Sequence, residues 1–395
     1  MRIASQLLDF VGTGKAAAFV EEIQSSSLPL VGFPGFFDAT VGFCYLGFFS
    51  IYFYGAKKST KPDSTLLSSH TPTAFITGGT GLVGSHLIEL LVTKGFRVRC
   101  LIRPTSDTRW LKNLAVDLVH GSLREPDTLV PLLRDVDIIY HVAGVTKAKT
   151  ERCYFEGNAE STRNLLSAAL SSGAPHDRFV LVSSLSAVGP GLDRAPVDES
   201  TPFHPITAYG RSKMKAEEYC REAAAKLPVT VIRPPAVYGP RDRDVYAFFK
   251  SIKHGLQPVI GSKVVSLIHV RDLAEGIFES SRHPAAIGKT YFITNNEQYD
   301  WEFVGTLVAR ALGKKAIRVR IPIILAYGIG VAAQAASYFS SKPALLNIEK
   351  VRDLVQLNWS CSGRRAREDF GFVPKIPIEQ GIAETAAWYR KNGWL

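Results

Sequence analysis

An α/β fold, with a doubly wound parallel sheet and a smaller C-terminal lobe, is the class that three observations predict. Short β-branched runs alternate with amphipathic stretches from Thr73 onward, a glycine-rich turn joins the first run to the first amphipathic stretch, and the alternation becomes irregular beyond about Pro240. The runs are TAFIT, RVRCLI, VDLV, DIIYHVA, RFVLVS and VTVIRP. Alternation of this kind places helices on both faces of one sheet. The reading divides the chain into an N-terminal extension (1–70), a sheet domain (71–240) and a part that is mainly substrate lobe (241–395), closing over the C-terminal edge of the strands.

Composition agrees with a globular chain. At 395 residues, 46% hydrophobic and 21% charged, it can bury one large core and a second, smaller one. The net charge of +11 suits an anionic partner: a cofactor phosphate, an acidic membrane surface or nucleic acid. No basic run interleaved with aromatics and no Cys/His finger spacing occurs, so nucleic acid is not expected. Cys44, Cys100, Cys153, Cys220 and Cys361 are odd in number, scattered and without a CxxC pair, which argues for reduced thiols and against a metal site or disulfide scaffold.

The extension differs from the rest. Ala39 to Ala56 carries no charge and is long enough to cross a bilayer core of about 30 Å. Lys57, Lys58 and Lys61 follow it, so the positive-inside rule leaves the folded domain in the cytoplasm. A segment lying on the membrane is the alternative, because Gly42 and Gly47 weaken the helix and Pro34 breaks the stretch before it. Ser59 to Thr71 is a Ser/Thr/Pro linker. A second uncharged segment, Ile321 to Ser341, contains Pro322, Gly328, Gly330 and Gln334, and is expected to be a buried or membrane-surface helix of the lobe.

The first strand runs into TGGTGLVG (77–84) and then SHLIELLVTKG. Glycines here permit a tight turn and close approach of backbone to a pyrophosphate, and the helix N-terminus supplies N–H donors: the Rossmann dinucleotide arrangement. Gly78, Thr80, Gly81, Leu82, Val83 and Gly84 are the candidate contacts. At the end of the second strand, where an NAD site usually has an acidic residue for the ribose, stands Arg103. A guanidinium there pairs with a 2′-phosphate, which favours NADP(H), with NAD(H) the alternative.

Tyr209 and Lys213 stand four apart in a helical pattern and share one face. Reducing a ketone needs a proton delivered to the carbonyl oxygen, and an ammonium nearby is expected to lower the phenol's pKa for that task. Lys213 can also bond the nicotinamide ribose. Strand RFVLVS ends in Ser183 and Ser184, whose hydroxyls are placed to hold the substrate oxygen.

From about Thr73 to Leu395 these motifs resemble the extended short-chain dehydrogenase/reductase superfamily, with its epimerase/dehydratase and 3β-hydroxysteroid dehydrogenase-like branches. The carrying pieces are TGGTGLVG, HVAG (141–144), GNAESTRN, VSSLSAVG, YGRSK, RPPAVYGP (233–240) and HVRDLA (269–274). The resemblance implies that Val142, Ala143 and Gly144 line the adenine and ribose side, and that Pro234 to Val237 contact the nicotinamide. It also implies that Asn158 begins a helix supporting the catalytic base and that Ser184, with Ser186 the runner-up, is the catalytic serine. Gly121, Ser122 and Leu123 lack the aspartate the family usually places near the adenine. His141 is expected to be a packed strand residue; Arg241 and Arg243 either form a solvated turn or grip an anionic substrate.

Two enzyme readings share this machinery. One is oxidation or reduction of a hydrophobic, steroid- or lipid-like alcohol or ketone at a membrane, with the catalytic domain facing the cytoplasm. The other is a nucleotide-sugar epimerase using bound NAD, for which VYGPRDRD and IHVRDLA are also suitable; Arg103 speaks against it, and the lack of a Thr-Asp-Glu triplet at the serine speaks against a dehydratase version. A non-catalytic dinucleotide-binding protein is a third reading, opposed by the full Ser184, Tyr209, Lys213 set. The resemblance further implies a possible homodimer.

Overall fold

In a computed structural model the residues described are 71–261, 263–337 and 348–395. The extension with its apolar run 39–56 lies outside them, as does the end of the Ile321–Ser341 segment. Seven strands form one parallel sheet: β1 (Thr73–Thr77), β2 (Arg97–Ile102), β3 (Val116–His120), β4 (Ile138–His141), β5 (Arg178–Val182), β6 (Val229–Arg233) and β7 (Thr290–Phe292). Their order is β7-β6-β5-β4-β1-β2-β3, so the chain winds outward one way from β1 and the other way from β4. The winding reverses between β1 and β4, paired with Thr77 beside His141, and opens a crevice at their C-terminal ends.

Alternate side chains of the strands feed two cores. Ala74, Ile76 and Val98 meet Leu87, Ile88 and Leu91 of α1 (Leu82–Thr93) on one face, while Phe75, Ile139 and Phe179 meet Leu165 and Leu166 of α2 (Ser161–Ser171) and Ala216 of α3 (Ala208–Ala223) on the other. α4 (Val270–Arg282) joins the first face through Leu273 and Ile277. Division at residue 240 is therefore corrected. β7 and α4 return from beyond it, because β6 would otherwise be a bare edge and α1's face an open core.

The smaller lobe has its own core. α5 (Trp301–Leu312) carries Val304, Leu307, Val308 and Leu312 at helical spacing, ends at Gly313 in the left-handed region (φ 64°), and packs with Phe249, Ile252 and, from α8 (Ile378–Lys391), Ile382 and Tyr389. Between them come α6 (Ile323–Ser337) and α7 (Ile348–Leu354). α6 buries Ala326 but leaves Ile324 87% exposed, with Ile323 and Leu325 also exposed, so it is not a core helix. Among the described residues no helix is long and apolar enough to cross a membrane.

Candidate active site

The crevice widens into a cleft of about 1720 Å3 across the ends of the strands. Its cofactor end is built from backbone. Gly81 N–H donates to Gly78 O (3.0 Å), closing the turn after β1. Gly78 has φ 74°, and a Cβ there would stand 2.6 Å from Ala143 N; a Cβ on Gly84 would stand 2.2 Å from Gly78 O. Only glycine lets α1 and the segment after β4 close on the turn. The N-terminus of α1 has no side-chain cap and no acidic residue in its first turn, so its N–H groups remain available to an anion such as a pyrophosphate.

Gly78, Thr80, Gly81, Leu82, Val83 and Gly84 line this end, faced by Val142, Ala143 and Gly144. Arg103 follows β2 at the same end, exposed, and its guanidinium makes no bond to another described residue. Gly121, Ser122 and Leu123 line it without a carboxylate. His141, as expected, is packed: it lies between Thr77 Oγ1 (2.7 Å) and Thr162 Oγ1 (3.0 Å), and burial pushes its pKa down to about 3, keeping it neutral.

In mid-cleft, Thr207 caps α3 by accepting from Gly210 N–H (3.1 Å), and the helix presents Tyr209 and Lys213 side by side to the space between Pro234 and Val237 and the end of β5. The Ser184 hydroxyl, which accepts from Ser186 N–H (3.1 Å), stands near enough to the Tyr209 phenol to favour its ionised form. Enclosure nevertheless pushes the phenol up to about 12, the serine opposing it in part. Lys213 donates to Val182 O (3.0 Å) beside Gly144, and burial pushes it down to about 8, against the pull of Glu217. The expectation that Lys213 lowers the phenol is thus corrected: the ammonium turns to a carbonyl, and desolvation dominates at Tyr209.

Asn158 is also corrected in part. It does not begin a helix but sits within a π-helical segment, Phe155–Glu160, between the turn Glu151–Tyr154 and α2. Buried behind the cleft, it donates through Nδ2 to Ser212 Oγ (2.9 Å) and Val145 O (3.1 Å), and accepts from Val145 N–H (2.7 Å). It ties the loop after Gly144 to the residue next to Lys213. Arg241 is not a solvated turn residue: it lines the cleft, pairs with Glu89 and Ser85 of α1 and lies over Trp110 (5.0 Å), fastening a loop to the sheet domain. Arg243 is exposed at the cleft.

Sequence reasoning missed a buried polar cluster behind the serines. Ser183 donates to Glu217 Oε1 (2.5 Å), and Glu217 takes a forked pair from Arg233 (Nε and Nη2, 2.6–3.1 Å), itself between Phe203 (4.8 Å) and Phe292 (5.6 Å). Ser183 is thereby committed, and Ser184 alone of the two faces Tyr209. The available signal was a glutamate four residues past Lys213, on the same helix face.

The far end of the cleft was not foreseen either. Val245, Phe248, Val265, Trp301, Leu354 and Trp359 wall it, with Phe248 and Trp301 4.8 Å apart between ring centres. Lys263 lies over Trp301 (4.7 Å), and Lys350 donates to Asp353 Oδ2 (2.7 Å).

A cradle for a dinucleotide, leading to a phenol, a hydroxyl and an ammonium and then to an aromatic-walled pocket, defines a nicotinamide-dependent enzyme. A family model described as the NAD dependent epimerase/dehydratase family matches residues 74–294. The chain belongs to that family, within the extended short-chain dehydrogenase/reductase superfamily. It is 30% identical over 322 residues, 81% of its length and 95% of the other, to the ceramide reductase of Caulobacter vibrioides. It is 27% identical over 333 residues to sterol demethylase protein B of Methylococcus capsulatus, covering 82% of this chain and all (100%) of that one. Among solved structures, gox2253 superimposes with a TM-score of 0.70 at 26% identity, covering 82% of this chain and 100% of the other. A UDP-glucose 4-epimerase of Thermotoga maritima (TM-score 0.67, 20% identity, 81% and 99% covered) shares the fold.

Proposed function

We propose that this enzyme transfers a hydride between NADP(H) and a hydrophobic, steroid- or lipid-like alcohol or ketone, with Tyr209 as the acid/base. The observation that carries this reading is the aromatic, apolar wall of the cleft beyond Tyr209. A phenol held near 12 is protonated at neutral pH, so Tyr209 is set to give its proton to the oxygen of a ketone as reduction proceeds. Ser184 shares that oxygen and fixes its position. Lys213, charged below about 8, would hold the ribose hydroxyls of a bound nicotinamide cofactor and so stand beside Tyr209 as it regains its proton. Asn158 positions Lys213 through Ser212. The nicotinamide, when bound, supplies or accepts the hydride.

Three further features belong to the same reading. Arg103 favours the 2′-phosphate of NADP(H). The names of the relatives, ceramide reductase and sterol demethylase protein B, speak for lipid chemistry. A membrane location, with the catalytic domain facing the cytoplasm, is supported by the apolar run 39–56 and by the exposed, uncharged face of α6.

The test follows absorbance at 340 nm while NADPH is offered with hydrophobic ketones and NADP with 3-hydroxysteroids. Net turnover is expected, and Tyr209→Phe should lower kcat by about 10³-fold while NADPH binding persists. No net change with any of these, together with interconversion of UDP-sugars on bound NAD, would overturn the reading in favour of an epimerase.

A further inference from the structure

We propose that Lys263 is the anchor for an anionic group, a carboxylate, carried by the hydrophobic substrate of this cleft. The proposal rests on the hydrophobic-substrate reading above and narrows it to a hydroxy or keto acid.

Lys263 stands at the end of the cleft beyond Tyr209, enclosed with Trp301, Trp359, Phe248 and Leu354. Its ammonium lies over the Trp301 ring at 4.7 Å and makes no hydrogen bond or ion pair with another described residue. An ammonium withdrawn from water among aromatic rings carries a desolvation cost that a cation–π contact repays only in part. The neighbouring charges do not cancel it. Asp353 is the carboxylate that acts on it, and that carboxylate is already bonded to Lys350 (2.7 Å). Lys350 draws on the same carboxylate, and the Lys263 ammonium is left with the face of Trp301 as its contact. Burial has pushed Lys263 down to about 8, which leaves it cationic at neutral pH and poorly solvated.

The position is suited to substrate. Asp353's charge acts on the Tyr209 phenol as well as on Lys263, so the reacting oxygen and the ammonium lie within electrostatic reach of one side chain. A molecule with its hydroxyl at Tyr209 and an acid group at Lys263 would place its remaining hydrocarbon against Phe248, Trp301 and Trp359. One ammonium over an aromatic ring matches one carboxylate, whereas a diphosphate brings more negative charge than that ammonium alone balances.

The test is isothermal titration of the full-length protein, saturated with NADP, with 3β-hydroxy-5-cholenoate and with its methyl ester, which keeps the hydrocarbon and removes the charge. The wild type should bind the acid about tenfold more tightly than the ester, or about 1.4 kcal/mol. Lys263→Met, and equally Lys263→Gln, should bring the two affinities together by weakening the acid, and Lys263→Arg should keep the preference. A wild type without preference for the acid, or a preference that survives in both neutral variants, overturns the proposal and leaves the hydrophobic-substrate reading standing. If neither the acid nor the ester binds the wild type, that reading fails and the proposal with it. UDP binding that depends on Lys263 would assign the ammonium to a diphosphate and overturn the proposal too.

Discussion

The two ends of the cleft are made of different material. At the cofactor end the contacts are backbone: a turn held open by glycines, the uncapped N-terminus of α1 and the segment Val142–Gly144 after β4. At the substrate end they are side chains brought from separate places: Phe248, Lys263, Trp301, Leu354 and Trp359. A pyrophosphate is the same in every dinucleotide, so a rigid frame of N–H groups serves it and admits little change. Substrates differ, and a wall of side chains on a second core can be exchanged without disturbing the sheet. Tyr209 and Lys213 stand where the two materials meet.

Gly84→Ala tests the backbone end and should give the largest effect. The new methyl would lie 2.2 Å from Gly78 O and 2.8 Å from Gly79 Cα, so main chain, not a flexible side-chain tip, must move. NADPH affinity should fall by about 100-fold, near 2.7 kcal/mol, as read by fluorescence titration. By contrast Trp301→Leu, at the other end, should leave the NADPH dissociation constant within about twofold. An unchanged affinity in Gly84→Ala would mean that the dinucleotide does not lie on this turn, and the contrast between the ends would fail.

Glu217→Gln asks whether side chains also stiffen the half that looks like pure backbone. The amide keeps the shape but leaves Arg233 charged and without its carboxylate at 5% side-chain exposure. Removing one partner of such a pair costs about 3 kcal/mol or more, so thermal unfolding should begin several degrees lower. The amide's single remaining acceptor oxygen must serve either Ser183 or Arg233 while its NH2 faces the other donor, so Ser184 beside Ser183 would be held less firmly. A melting temperature equal to that of the wild type would show that this buried pair adds nothing to the hold of main chain on α3, which extends the comparison to the middle of the cleft.

What was legible in the sequence follows the same division. TGGTGLVG, the paired Tyr209 and Lys213, and six of the seven sheet strands are local patterns, because a turn, a helix face and a strand are fixed by neighbours in the chain. β7 is three residues long and forms only because β6 offers it an edge, so no periodicity announces it. The π-helical segment at Asn158 breaks the helical period by hydrogen bonding the sequence does not display. Arg241, with φ 74°, adopts a conformation that its residue type disfavours and that its bonds to Glu89 and Ser85 offset. Lys263 and Trp301 are far apart in sequence from Tyr209, and only the packing of the second core brings them to the same cleft.

Arg103→Ala gives the smallest expected effect and the finest test of the contrast, since Arg103 is the side chain offered as a reader of the 2′-phosphate. It follows β2 at the cofactor end, exposed and bonded to no described residue through its guanidinium. An exposed ion pair with a 2′-phosphate is worth little by itself, but a forked, doubly bonded one gains more. The ratio of NADPH to NADH affinity should therefore drop by about tenfold in the variant, near 1.4 kcal/mol, and in the wild type it should shrink as salt is raised toward 1 M, where charges are screened within about 3 Å. Equal losses for both nucleotides would mean that Arg103 stacks on the adenine they share. No loss for either would leave cofactor choice, like cofactor binding, to the backbone.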